Sequence, residues 1–265
     1  TVNESMPPEK ITTTLLLIFV VLLRYNIKLA HSTRNYLSIK VMTTRYKINE
    51  LFETLQGEGS FTGQPSIFLR LQGCPVGCSW CDTKHTWEIH PELEISSETL
   101  LNKSEETEQW SNLSLDNIAE IFNQQGYKAK HIVITGGEPC MIDLTELCLY
   151  FEAQGYSCQV ETSGTFEINV SEQCWVTVSP KVNMRGGYKI LASAMQRANE
   201  IKHPVGTEQH IDDLKALLAE HKVEDKQIYL QPISQKQRAT ELAIATCIEN
   251  NWRLSVQVHK YIGIE

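Results

Sequence analysis

Gly73-Cys74-Pro75-Val76-Gly77-Cys78-Ser79-Trp80-Cys81-Asp82-Thr83-Lys84-His85 is the stretch on which the reading of this chain turns. Its three thiols stand at Cys-x3-Cys-x2-Cys in a loop directly after Ser66–Leu71, a short apolar run that predicts a strand. Iron–sulfur clusters are bound through thiolates, normally four of them, so three on one loop hold a cubane by three corners and leave one iron open. Gly77 permits the tight path of the loop, and Trp80 can shield the cluster from water. Zinc is the competing metal, because His85 completes a formal Cys-x3-Cys-x2-Cys-x3-His set. A structural zinc usually folds a small module, however, whereas this loop lies inside a long alternation of strands and helices. Three unrelated core cysteines would not crowd into eight residues.

Outward from the loop, Ser66–Leu71, His131–Thr135, Gln159–Thr162, Trp175–Ser179, Glu200–His203, Gln227–Gln231 and Arg253–His259 predict strands bounded by Gly, Pro or Ser. Helical periods lie between them. Leu115, Ile118, Ala119 and Phe122 follow a Ser114 cap; Leu144, Leu147, Cys148 and Phe151 follow Asp143; Ala239, Leu242, Ala243, Thr246 and Cys247 come near the end. The alternation implies right-handed βαβ units and an α/β fold with a parallel sheet. Six or seven strands are too few for a closed eight-stranded barrel. That leaves an open, partial barrel or a doubly wound sheet, with ligands at the C-terminal ends of the strands in either case.

The formal net charge of -8, without a basic run, argues against a nucleic-acid backbone as partner. Cys140, Cys148, Cys158, Cys174 and Cys247 are scattered and read as reduced core thiols rather than a disulfide framework. Residues 1–41 do not share the alternation. Their apolar run Leu15–Leu23 is shorter than the roughly 20 residues a membrane helix needs. Export would also carry an oxygen-sensitive motif into an oxidising compartment. The expectation is a dispensable or upstream-translated extension at 1–41, a catalytic domain at 42–265, no membrane segment and a cytoplasmic protein.

The cysteine loop, together with Ile134-Thr135-Gly136-Gly137-Glu138-Pro139 at the end of a later strand, resembles the radical S-adenosylmethionine superfamily. The resemblance implies a partial β/α barrel of about six parallel strands with outer helices. It also implies a 4Fe–4S cluster on Cys74, Cys78 and Cys81, with S-adenosylmethionine chelating the open iron. Gly137 and Ser179-Pro180-Lys181 match cofactor contacts, Glu161 is a weaker one, and Glu138 can accept from the cofactor's amino group. The glycines would let the backbone approach that group.

Longer segments narrow the match. Ile48–Gly59, Phe68–Cys74, Cys81–Trp87, Val176–Lys181 and Gln257–Tyr261 resemble the 7-carboxy-7-deazaguanine synthase family, covering residues 42–265 almost without a break. That family converts 6-carboxy-5,6,7,8-tetrahydropterin to 7-carboxy-7-deazaguanine with loss of ammonia, on the route to queuosine and other 7-deazapurines. The resemblance implies that Leu55, Gln56, Gly57, Arg70 and Thr135 bind substrate, with Arg70 suited to a carboxylate. Thr83 matches a magnesium ligand, although by residue chemistry alone Asp82 is the stronger candidate. A flavodoxin- or ferredoxin-type electron donor and a homodimer are implied as well. An activase that places a radical on a protein glycine shares the cysteine loop and glycine turn; only Leu55–Gly57, Arg70 and Thr83 separate it. A zinc-stabilised binding module is the reading from another class. His131, His203 and His259, on predicted strands, read as satisfied core residues rather than catalysts.

Overall fold

The computed structural model of the chain describes residues 44–223 and 226–264, and the expectation for residues 1–41 lies outside them. One sheet organises the described residues: β1 (Arg45–Leu55), β2 (Pro65–Leu71), β3 (Ser111–Ser114), β4 (His131–Gly136), β5 (Ser157–Thr162), β6 (Trp175–Val178), β7 (Glu200–Val205), β8 (Gln227–Pro232) and β9 (Arg253–Leu254). Their spatial order is β3-β1-β2-β4-β5-β6-β7-β8-β9. From β2 through β4 to β9 every neighbouring pair is parallel, while β1 runs antiparallel to β2 and β3. The sheet is open and its parallel strands follow chain order without the reversal that defines a doubly wound sheet, so the partial barrel stands and the doubly wound alternative falls.

The helices are α1 (Ser97–Leu101), α2 (Leu115–Gln125), α3 (Thr145–Glu152), α4 (Ala192–Arg197), α5 (Glu208–His221), α6 (Gln237–Asn250) and α7 (Val258–Ile262). The Ser114 hydroxyl accepts from the Asn117 N–H at 3.2 Å and starts α2 as a capping box, and Gly126 ends it in the left-handed conformation. Buried α2 and α3 side chains, Ile118, Phe122, Leu147 and Phe151, join a core with one face of the strands. That face carries Ile132, Ile134, Val160, Val176, Val178, Ile201 and Leu230, all buried. Strand side chains alternate, so the opposite face carries Thr135, Gln159, Glu161, Thr177, Glu200, Lys202 and Gln231. A polar lining backed by an apolar layer is what a ligand-holding partial barrel needs.

Two expectations are corrected here. The predicted strand Arg253–His259 is a strand only at Arg253–Leu254; Val258 opens α7. His259 is therefore neither a strand nor a core residue but a half-buried side chain against Gly57. His203 does sit in the core on β7, yet both ring nitrogens lack a partner among the described residues. Only His131 is satisfied, bonded to Ser157 Oγ at 2.8 Å and Gln159 Oε1 at 2.9 Å.

Candidate active site

The C-terminal ends of the parallel strands open into a cavity of about 910 Å³. Cys74, Cys78 and Cys81 all line it, on the loop that leaves β2. A turn after β4 braces this loop: Gly137 N–H donates to Leu71 O and Glu138 N–H to Gly73 O, each at 2.8 Å. A Cβ on Gly137 would lie 2.0 Å from Gly73 O. The glycine is thus needed for the close approach of two backbones, a structural reason beside the cofactor contact expected from the sequence. The Glu138 carboxylate is equally committed, accepting from Thr162 Oγ1 at 2.6 Å, Ser163 N–H at 2.8 Å and Cys140 N–H at 3.0 Å.

Burial pushes the Cys74 thiol up to about 11 and raises Cys78 as well, with the Lys181 ammonium partly offsetting the latter. The three thiols share one cavity wall, a donor set that suits an iron cluster held at three corners. The site does not fit Cys3His zinc. The His85 ring faces away from the thiols, with Nε2 3.5 Å from Glu50 Oε1 and Nδ1 3.6 Å from Glu106 Oε2. Despite burial, His85 and Arg70 hold the Glu50 carboxyl down at about 2. Arg70 gives its Nε to Glu50, and its terminal NH groups make no hydrogen bond among the described residues.

The other predicted residues gather in the same place. Leu55, Gln56, Gly57, Arg70, Thr83, Thr135, Gly137, Ser179 and Lys181 line the cavity; Pro180 is buried behind it and does not. Thr83 Oγ1 lies 3.6 Å from Cys81 Sγ, and Lys181 Nζ donates to Ser179 Oγ at 2.6 Å. Asp82, the ligand favoured on chemistry alone, is taken by Lys260 Nζ at 3.0 Å.

The sequence reading named Glu161 only as a weaker cofactor contact and missed the charged cluster to which it belongs. Lys202 Nζ sits 2.6 Å from Glu58 Oε2 and 2.7 Å from Glu161 Oε2. Burial would raise Glu58, but Lys202 and the Gln257 amide keep it below the ordinary range, so it is ionised. Burial, with the Glu58 and Glu200 carboxylates adding to it, pushes Glu161 up to about 7, with Lys202 opposing. Gln257 Nε2 also donates to Glu58 Oε1 at 2.9 Å, and Val258 N–H to Gly57 O at 3.0 Å, so the C-terminal segment straps across the loop that follows β1. A lysine on the predicted strand Glu200–His203 was the signal for this triad, since an unpaired charge does not survive buried in a strand.

Residues 69–172 match the radical SAM superfamily, the segment that holds both the cysteine loop and the glycine turn. The 7-carboxy-7-deazaguanine synthase of Escherichia coli (strain K12) is 57% identical over 222 residues, covering 83% of this chain and 99% of that protein. The chain belongs to the 7-carboxy-7-deazaguanine synthase family. Synthases of Buchnera aphidicola and Synechocystis are 48% and 34% identical over similar spans. The crystal structure of QueE from Escherichia coli superposes with a TM-score of 0.78 at 56% identity, covering 81% of this chain and 95% of that one. Membership makes this synthase a radical S-adenosylmethionine enzyme, whose cofactors are a 4Fe–4S cluster and S-adenosylmethionine. No helix among the described residues is long and apolar enough to cross a membrane.

Proposed function

We propose that this cavity contracts the ring of 6-carboxy-5,6,7,8-tetrahydropterin to give 7-carboxy-7-deazaguanine and ammonia, with Cys74, Cys78 and Cys81 holding the cluster. The observation that carries it is convergence: substrate, cofactor and cluster residues expected from separate motifs line one cavity, Pro180 alone excepted. When bound, the reduced cluster and S-adenosylmethionine supply a carbon radical that takes a hydrogen atom from the substrate. The chain's own residues do the rest. Arg70, its Nε edge fixed on Glu50, offers its terminal NH groups to the substrate carboxylate. Thr83 gives a hard oxygen to Mg²⁺, which the same carboxylate and water complete. Leu55, Gln56, Gly57 and Thr135 fit the pterin ring, while Gly137, Ser179 and Lys181 hold the cofactor, with Pro180 shaping the turn.

Glu58 and Glu161 act as acceptors for the N–H edge of a pterin. Glu161, whose carboxyl burial raises well above the usual carboxylate range, is the group suited to exchange a proton as nitrogen leaves. Residues 42–265 suffice for this activity, in a cytoplasmic homodimer fed by a flavodoxin- or ferredoxin-type donor. Titrating the reconstituted protein with the pterin tests the substrate assignment. Arg70→Ala is expected to lose about tenfold or more in affinity, and Arg70→Lys to recover little, because lysine lacks the fork. Equal affinity in all three would overturn it.

A further inference from the structure

The polar inner face of the sheet continues below the cavity to the opposite, N-terminal ends of the strands. Ser157 Oγ meets His131 Nδ1 at 2.8 Å, and His131 Nε2 meets Gln159 Oε1 at 2.9 Å. Gln159 Nε2 donates to Glu161 Oε1 and to Thr177 Oγ1, both at 3.0 Å. Thr177 donates in turn to Glu200 Oε1 at 3.0 Å. His131, Gln159 and Thr177 are at most 1% exposed, and none of them lines the cavity.

The direction of every bond in this column follows from its acidic ends. The Thr177 hydroxyl donates to Glu200 Oε1, which leaves its oxygen to accept from a Gln159 N–H. The second Gln159 N–H goes to Glu161. The amide oxygen therefore faces His131, which puts the ring proton on Nε2, and the bare Nδ1 at 2.8 Å takes the Ser157 hydroxyl proton in competition with Lys130 O, which lies farther off at 3.3 Å. Burial lowers the His131 pKa and so keeps the ring neutral, consistent with one donor and one acceptor nitrogen.

We propose that Gln159 and His131 are positioning residues for Glu161, whose Oε1 they hold so that Oε2 meets Lys202 and the carboxyl faces the cavity. The inference rests on Glu161 being the proton-exchanging group of the proposed reaction. Other charged groups facing Glu161 are Lys202 and Glu200 on β7 and Glu58 after β1. None of these contacts Oε1 through a donor, so the Gln159 amide is the principal hydrogen bond there, with Gln56 Nε2 farther off at 3.5 Å.

Two measurements on the reconstituted holoenzyme test this. In Gln159→Leu the carboxylate loses a donor that favours its charged form, so the acid limb of the kcat–pH profile should move up by about one unit, with KM little changed. His131→Phe, which keeps a ring against Phe61 (4.4 Å between centroids), should move it the same way and less. Nitrogen NMR of the wild-type holoenzyme should find the His131 proton on Nε2 throughout the neutral range. An unmoved acid limb in Gln159→Leu, or a proton on Nδ1, would overturn the proposal. If Gln159→Leu fails to fold, His131→Phe and the tautomer decide. A wild type that does not turn over the pterin refutes the substrate reading instead, and the tautomer still decides the column.

Discussion

Gly57 and His259 are packed backbone against ring: a methyl group on Gly57 would stand 2.2 Å from His259 Nδ1 and 3.1 Å from its backbone nitrogen. The contact seats α7 on the loop that follows β1. Gly57→Ala therefore drives the histidine aside and disturbs the strap, while the cysteine loop is untouched. We expect KM for the pterin to rise about tenfold, equivalent to about 1.4 kcal/mol, at unchanged iron content. Steady-state kinetics with iron assay checks this, and an unchanged KM would show that the strap does not shape the site.

Replacing Cys74, Cys78 or Cys81 singly by Ala should abolish the iron–sulfur absorbance and cofactor cleavage, since two thiolates do not retain the cubane. Cys148→Ala and Cys247→Ala, in the apolar layer, should keep both. His85→Ala should keep the cluster as well, because its ring faces Glu50 and Glu106. Loss of metal in His85→Ala would revive zinc.

Thr83→Ala should bind S-adenosylmethionine normally, lose most of the response to added Mg²⁺ and turn over slowly. Lys260→Ala frees Asp82 and loosens the strap, so it should raise KM and leave the magnesium response intact. The reverse pattern would make Asp82 the ligand.

His203 gives a pH prediction. Burial first, with Lys181 adding to it, lowers its pKa from 6.5 to about 4, so the unfolded chain binds the proton more tightly. The neutral ring's contribution to stability is complete above 6.5 and is lost as pH falls toward about 4. His203→Phe removes two unpartnered buried nitrogens and this acid sensitivity. Thermal melts should show a gain in Tm that grows as pH drops through that window; a constant or negative difference counts against it.

Much of this was legible beforehand, for identifiable reasons. The parallel strands were short Ile- and Val-rich runs with sharp ends, so β2 and β4–β8 fall close to their predicted positions. β1 was not predicted as a strand, because the register shifts between Ile48 and Glu50 and breaks the period-two alternation. The helix at Glu208–His221 was missed behind its many charges. At the site, thiols and glycines were visible because their spacing is local. Lys202 with Glu58 and Glu161 was not, since the three lie on separate segments that only the folded sheet brings together.

The central claim is tested most directly by one anaerobic assay. The chain, reconstituted with iron and sulfide and reduced, is incubated with S-adenosylmethionine, Mg²⁺ and 6-carboxy-5,6,7,8-tetrahydropterin, and 7-carboxy-7-deazaguanine and ammonia are quantified. The account predicts both products in equal amounts, and none in Cys78→Ala. Cofactor cleavage by a fully loaded enzyme without either product would contradict it.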